Sequence, residues 1–245
     1  DIINNDIRRI FTNPHLRDNE WLIAESLKKA EEQRKGLLIF GSRRFSKTQI
    51  EASWTGRGAT IYEGSENVMS STNSDDLNLL TSATDKGLAN VHPYFRYERL
   101  RYNWNKEVSL GIETKQGKKY EFSKILIRNL DEGRNTEAIA GTTPKTLVID
   151  EIGKQEKILE AFEAAKPGFT SPFGWRCVPI LTGTGGSFVA NSDAEKMFSE
   201  PEAHNFLAVE WEGRSKKYGL FIPGTYRMEG KVKTKFGDFI KKQSG

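Results

Sequence analysis

Leu37-Leu38-Ile39-Phe40 is a short apolar run. The eight residues after it, Gly41-Ser42-Arg43-Arg44-Phe45-Ser46-Lys47-Thr48, leave the chain few choices of fold. The run reads as a buried strand. Gln49–Trp54 contains no helix breaker, so the loop leads from that strand into a helix. In such a setting backbone N–H groups wrap the β- and γ-phosphates of a nucleotide, the lysine neutralises charge and the threonine hydroxyl ligates Mg²⁺. The spacing G-x-x-x-x-G-K-[ST] is met at every position but one, because Ser46 stands where the pattern has glycine. A small side chain is compatible there if the backbone can still turn. The other reading is a basic surface turn after a strand.

A second stretch decides between them. Thr146-Leu147-Val148-Ile149 is β-branched and apolar, and it runs into Asp150-Glu151. Strands of a parallel sheet covered on both faces have this composition. Ligands bind at the carboxyl edge of such a sheet. Asp150 would then sit beside Thr48 and help hold Mg²⁺, and Glu151 would polarise an attacking water. Alone, Asp-Glu after a strand reads better as an ordinary helix N-terminus. With a phosphate loop about 100 residues upstream, the pair points to ATP hydrolysis.

Composition narrows the setting. The 245 residues suit one α/β domain, or one domain with a small appendage, and 36% apolar content suffices for one core. No apolar run is long enough for a membrane span or a secretory signal. A lone Cys177 rules out an internal disulfide, and three scattered histidines suggest no metal cluster. The net charge of +4 permits nucleic acid as a partner without requiring it. The first residue is Asp1, which suggests a fragment or trimmed chain.

Residues 1–35 read as a helical lead-in, with Trp21, Leu22, Ile23, Leu27 and Ala30 at helical spacing. Trp21 and Phe11 are candidates for an adenine platform, although core packing suits either better. Val68–Ser71 is a second strand. Thr72–Asp76 supplies turn and capping residues for a helix carrying Leu77, Leu79, Leu80, Ala83 and Leu88. Phe95–Trp104, Val108–Glu113, Lys119–Phe122 and Ile125–Arg128 read as an inserted β-meander. Arg96, Arg99 and Arg101 alternate there with Tyr97, Tyr102 and Trp104. That pattern suits single-stranded nucleic acid, but a two-faced antiparallel strand produces it equally well and is preferred. Gln155–Ala165 reads as an exposed helix ended by Pro167-Gly168. Cys177–Leu181 is a further strand running into Thr182-Gly183-Thr184-Gly185-Gly186, which brings hydroxyls to the same sheet edge or is a flexible turn.

With these pieces in this order, the chain resembles the ATPase domain of large terminase subunits, the DNA-packaging motors of tailed phages. Ser42–Thr48 resembles their variant phosphate loop, with Arg43 four residues before the lysine. Val68–Asn73 resembles the segment at their second strand, Leu147–Glu151 their acidic motif and Thr182-Gly183-Thr184 their coupling motif. The resemblance covers roughly residues 36–190.

The resemblance implies an α/β fold: a RecA-like P-loop NTPase core of the ASCE type. Its sheet is mainly parallel with flanking helices, an inserted β-meander and a small C-terminal lid. The expected divisions are 1–35 lead-in, 36–205 core and 206–245 lid, with no nuclease domain in this chain. The lid holds nine basic and four acidic residues. ATP and Mg²⁺ are the implied cofactors, with nucleotide bound by Gly41–Thr48. Lys47, Glu151 and Arg43 are the implied catalytic residues, Thr48 and Asp150 the metal ligands, and Thr184 the sensor of the γ-phosphate. Arg134 is a weaker candidate for a finger given to a neighbouring subunit. The implied partners are double-stranded DNA, a portal protein, a small terminase subunit and other copies in a ring on the portal, with a monomer expected alone. The implied location is the host cytoplasm and, transiently, the procapsid. Two other readings stay open: a superfamily-2-like helicase or translocase fragment, and a non-catalytic nucleotide-binding phage structural protein.

Overall fold

The computed structural model describes residues 18–42, 46–103, 106–131, 135–184, 193–210 and 215–223. A lead helix α1 (Asp18–Gln33) precedes β1 (Leu37–Gly41), α2 (Lys47–Ile61), β2 (Ser65–Ser71) and α3 (Ser74–Ala89). Three strands follow: β3 (Glu98–Asn103), β4 (Glu107–Glu113) and β5 (Lys119–Asn129). Then come β6 (Pro144–Asp150), α4 (Ile158–Ala165), the small hairpin β7 (Thr170–Ser171) and β8 (Gly174–Trp175), β9 (Val178–Thr184), α5 (Asp193–Ser199) and β10 (Leu220–Ile222). Eight strands form one sheet in the order β10-β1-β9-β6-β2-β5-β4-β3. Pairings from β10 to β5 are parallel, and β5-β4-β3 are antiparallel.

The continuous apolar runs follow from this architecture, because the central strands alternate between two cores. Leu37 and Ile39 of β1, Val148 of β6 and Ile180 of β9 face one core with Ile23, Ala52 and Leu80 from α1, α2 and α3. Leu38, Phe40, Leu147, Ile149 and Leu181 face the other, with Phe162 and Met197 from α4 and α5. Fully burying one such side chain stabilises the fold by about 1.5–3 kcal/mol. A polar residue in β1 or β6 would therefore disturb one core on whichever face it fell. The helix after β2 is capped as its sequence suggests: the Asn73 side chain accepts from the Asp76 backbone N–H at 2.9 Å.

Several expectations change. Lys119–Phe122 and Ile125–Arg128 are one strand, β5, and residues 123–129 of it pair in parallel with β2. The polar break between the runs is structural: Ser123 donates to the Ala59 carbonyl on α2, and Lys124 pairs with Glu66 at 2.6 Å. The three strands thus extend the main sheet instead of forming a separate insertion. Trp21 is 55% exposed, because the buried stripe of α1 runs through Ile23, Leu27 and Ala30; Phe11 lies outside the described residues. The helix expected over 155–165 starts at Ile158, and it buries Ile158, Ala161, Phe162 and Ala165. Finally, the stretch read as a lid opens inside the core. Phe206 is fully buried, and Leu220–Ile222 pairs with Ile39–Gly41 as an edge strand of the sheet.

The antiparallel strand expected in the basic-aromatic stretch is present only over Glu98–Asn103, and it is not two-faced, because every residue of it but Leu100 is exposed. On β3, Arg99 pairs with Asp85 at 2.6 Å and Arg101 with Glu107 at 2.9 Å. Trp104 lies outside the described residues.

Candidate active site

Parallel register brings the separate motifs to one edge. Gly41 at the end of β1 is level with Thr184 of β9, and Ser71 of β2 with Asp150 of β6. Strand β9 lies between β1 and β6, so Thr182 and Thr184 stand between the phosphate loop and the acidic pair. Gly183 keeps that strand close to its neighbour: a Cβ there would lie 2.2 Å from Phe40 Cε1.

Lys47, the first residue of α2, turns its ammonium onto both acids. Nζ is 2.6 Å from Asp150 Oδ1 and also bonds Glu151 Oε1. Asp150 Oδ1 further accepts from Thr182 Oγ1 at 3.0 Å and from the Glu151 backbone N–H at 2.7 Å. Thr184 Oγ1 donates to Glu151 Oε1 at 2.9 Å. Two non-glycine residues here adopt left-handed backbone. Ser46 has φ 66°, which accounts for the glycine in the usual motif, and Glu151 has φ 55° as the chain leaves β6.

One member of this cluster was not singled out in the sequence. Glu51 is fully buried on α2, and it shares the Thr182 hydroxyl with Asp150. Its signal was its position four residues after Lys47, which places both side chains on one helix face. Burial pushes the Glu51 carboxyl well above the ordinary carboxylate range, and the negative charge of Asp150 adds to that. Burial likewise raises Asp150, although the Lys47 charge opposes the shift. For Lys47, burial alone would lower the pKa, but Asp150, Glu51 and Glu151 outweigh it and hold the ammonium above the usual lysine value.

The residues present fit a nucleotide with Mg²⁺. Glu51 Oε2, Glu151 Oε2, Ser42 Oγ, Ser71 Oγ and Thr72 Oγ1 are buried and have no hydrogen-bond partner among the described residues. That is an unusual concentration of unmet polar groups at one sheet edge. The donors are hard oxygens, namely the Thr48 hydroxyl and the Asp150 carboxylate. Mg²⁺ takes one or two such protein ligands and completes its shell with phosphate and water. No group of three or more His, Cys, Asp or Glu among the described residues forms a dedicated metal cage. The structure thus brings together Gly41, Ser42, Ser46, Lys47, Thr48, Asp150, Glu151, Thr182, Gly183 and Thr184 at or beside this edge. Arg43, Arg44, Phe45 and Arg134 lie outside the described residues.

A mostly parallel sheet with helices on both faces, a strand-loop-helix at its carboxyl edge and a facing acidic pair define the RecA-like P-loop ATPase fold. Within that class the chain has the fold of phage large terminase ATPase domains. The large terminase ATPase domain of Thermus phage P74-26 superposes with a TM-score of 0.58 at 11% identity, over 86% of this chain and 80% of that one. The HK97 bacteriophage large terminase gives 0.53 at 14% identity, over 81% of this chain. The large terminase of the thermophilic bacteriophage D6E gives 0.50 at 13% identity, over 70% of this chain. The chain spans 39% of the length of each of these last two proteins. No family model matches the sequence, and no curated protein matches it.

Proposed function

We propose that this chain is a motor domain that hydrolyses ATP to drive double-stranded viral DNA into a procapsid. The observation that carries the reading is Lys47, which bridges Asp150 and Glu151 while opening the helix after the phosphate loop. A lysine held by the acids in this way can exchange them for the β- and γ-oxygens of ATP. That exchange leaves Asp150 and Glu151 available for their own tasks. Thr48 and Asp150 would hold Mg²⁺, which when bound neutralises charge on the phosphate oxygens. Glu151 orients a water and accepts its proton as the water oxygen attacks the γ-phosphorus. The bond to the β-phosphate oxygen breaks, leaving ADP and inorganic phosphate. Thr184, the last residue of β9 and bonded to Glu151, senses the γ-phosphate and passes the change to the C-terminal segment. Arg43 supplies the transition-state arginine in cis, a role worth about 10³- to 10⁵-fold in such enzymes, and Arg134 is the alternative donor in trans.

The basic stretch Arg214–Lys242 is proposed to contact DNA phosphates without reading bases. Arg214 and the residues from 224 onward lie outside the described residues. A ring of copies on a portal, with a small terminase subunit, completes the proposed machine in the host cytoplasm and on the procapsid. The chain alone is expected to be a monomer. Steady-state ATP hydrolysis, measured with and without double-stranded DNA and with Mg²⁺ titrated, tests the reading. Turnover that needs Mg²⁺ and responds to DNA supports it. Nucleotide binding with no turnover under any of these conditions would mean a non-catalytic protein.

A further inference from the structure

At the opposite, amino edge of the sheet lies a second cleft, of about 410 Å³. Its walls come from the ends of α1 and α2, the starts of β6 and β9, and the β7–β8 hairpin. Four cations line it, Arg34, Arg57, Lys145 and Arg176, against one acid, Glu31. Arg57 is engaged by Glu31 at 3.1 Å, and Arg34 bonds the Phe173 carbonyl. Lys145 and Arg176 have no carboxylate partner among the described residues, and Lys145 stands 4.1 Å from the Tyr62 ring centroid.

The cleft is a built feature. Arg34 fastens the hairpin, and Ser171 Oγ donates to the Gly174 carbonyl at 2.6 Å across its turn. Gly174 has φ +103°, a conformation closed to other residues at low cost. The turn leaves the Phe173 ring 81% exposed at the rim. Inside, Trp54 is 9% exposed, and its indole N–H is buried with no acceptor among the described residues.

A surplus of cations calls for an anion, and guanidinium groups suit phosphate. An exposed aromatic ring beside the cations suits a base, because bases stack on such rings with little regard to sequence. We propose that this cleft binds nucleoside phosphates, either a free nucleotide or the exposed nucleotides of a DNA strand. Phosphate oxygens meet Lys145 and Arg176, and the base lies on Phe173. The inference does not rest on ATP turnover at the other edge of the sheet.

The test measures fluorescence anisotropy of labelled oligo-dT and labelled AMP. All variants carry Lys47→Ala, so that the phosphate loop contributes little. Lys145→Glu with Arg176→Glu is expected to weaken binding at least about tenfold at low salt. For oligo-dT it should also reduce the slope of log K against log salt by about 1.4, the effect of two lost phosphate contacts on a single strand. Phe173→Ala is expected to weaken oligo-dT binding about fivefold or more and to leave competition by inorganic triphosphate unchanged. AMP binding as tight as oligo-dT identifies a free nucleotide as the ligand, and oligo-dT binding alone identifies a strand. Unchanged affinity in the double variant, and in Arg176→Glu alone as a surface control for folding, overturns the proposal. Equal binding of a poly-glutamate peptide with no effect of Phe173→Ala also overturns it, in favour of an acidic partner.

Discussion

Thr184 Oγ1 donates to Glu151 Oε1 at 2.9 Å, so the last residue of β9 is tied to the acid that follows β6. The same acid is held by Lys47, which makes Glu151 the meeting point of three motifs spread over the chain. If Thr184 positions Glu151 for water, Thr184→Val is expected to lower kcat with little change in KM, as for an interaction used in the transition state. Thr184→Ser, which keeps the hydroxyl, is expected to restore most of the rate. A fall in nucleotide affinity with kcat unchanged would assign Thr184 to binding instead.

Lys47 and Glu151 should separate binding from chemistry. Lys47→Ala is expected to weaken ATP binding as well as turnover. Glu151→Gln is expected to leave binding nearly intact while turnover falls by about 10²-fold or more, the usual range for losing a general base. Isothermal titration and single-turnover hydrolysis read the two quantities. Hydrolysis by Glu151→Gln within a few-fold of the parent would remove Glu151 from the mechanism.

Ser46 tests the backbone argument. Its φ of 66° is left-handed, a region that costs an L-residue about 1–2 kcal/mol. Ser46→Gly is expected to be tolerated, with stability within about 1 kcal/mol of the parent because glycine's greater unfolded-state freedom offsets the relief. Ser46→Val is expected to lose about 1–3 kcal/mol and most turnover, since a β-branched residue tolerates that region poorly. Urea unfolding and ATPase rates check both variants.

Glu51 gives a pH signature. Its folded pKa is raised by burial above the ordinary 4.5, so the folded chain holds a proton that the unfolded chain has released. Its contribution to stability is therefore fully present below the unfolded pKa, and it declines as pH rises from about 4.5 toward the folded value. Glu51→Gln removes that titration. The stability of this variant relative to the parent is expected to increase as pH rises from 4 to 8. Urea midpoints measured for both proteins across that range give the difference, and a flat difference would mean that Glu51 is ionised in the folded chain.

The strands, the phosphate loop and the acidic motif were legible because each is local. Leu37–Phe40 and Leu147–Ile149 are continuous apolar runs, and a sheet covered on both faces demands such runs. The capping role of Asn73 was legible for the same reason. Glu51 was not, because one acid in a helix is an ordinary surface residue until Thr182, 131 positions away, bonds it. The continuity of β5 was hidden by Ser123 and Lys124, whose polarity is answered by Ala59 and Glu66 on other elements. Strand β10 was also hidden, since three residues give no periodicity and only their pairing with β1 makes them part of the core.

The close approach of Phe40 to Gly183 gives the middle letter of Thr182-Gly183-Thr184 a meaning that is neither chemical nor conformational. The ring of one strand occupies the space that any side chain at the other position would need. Positions 40 and 183 are therefore a coupled pair. Among distant relatives a larger residue at 183 should appear only where position 40 has become smaller, and substitutions made together should cost less than the sum of the two made singly. A comparison that scored Gly183 on its own would take it for a mark of nucleotide chemistry, when it records the size of its neighbour.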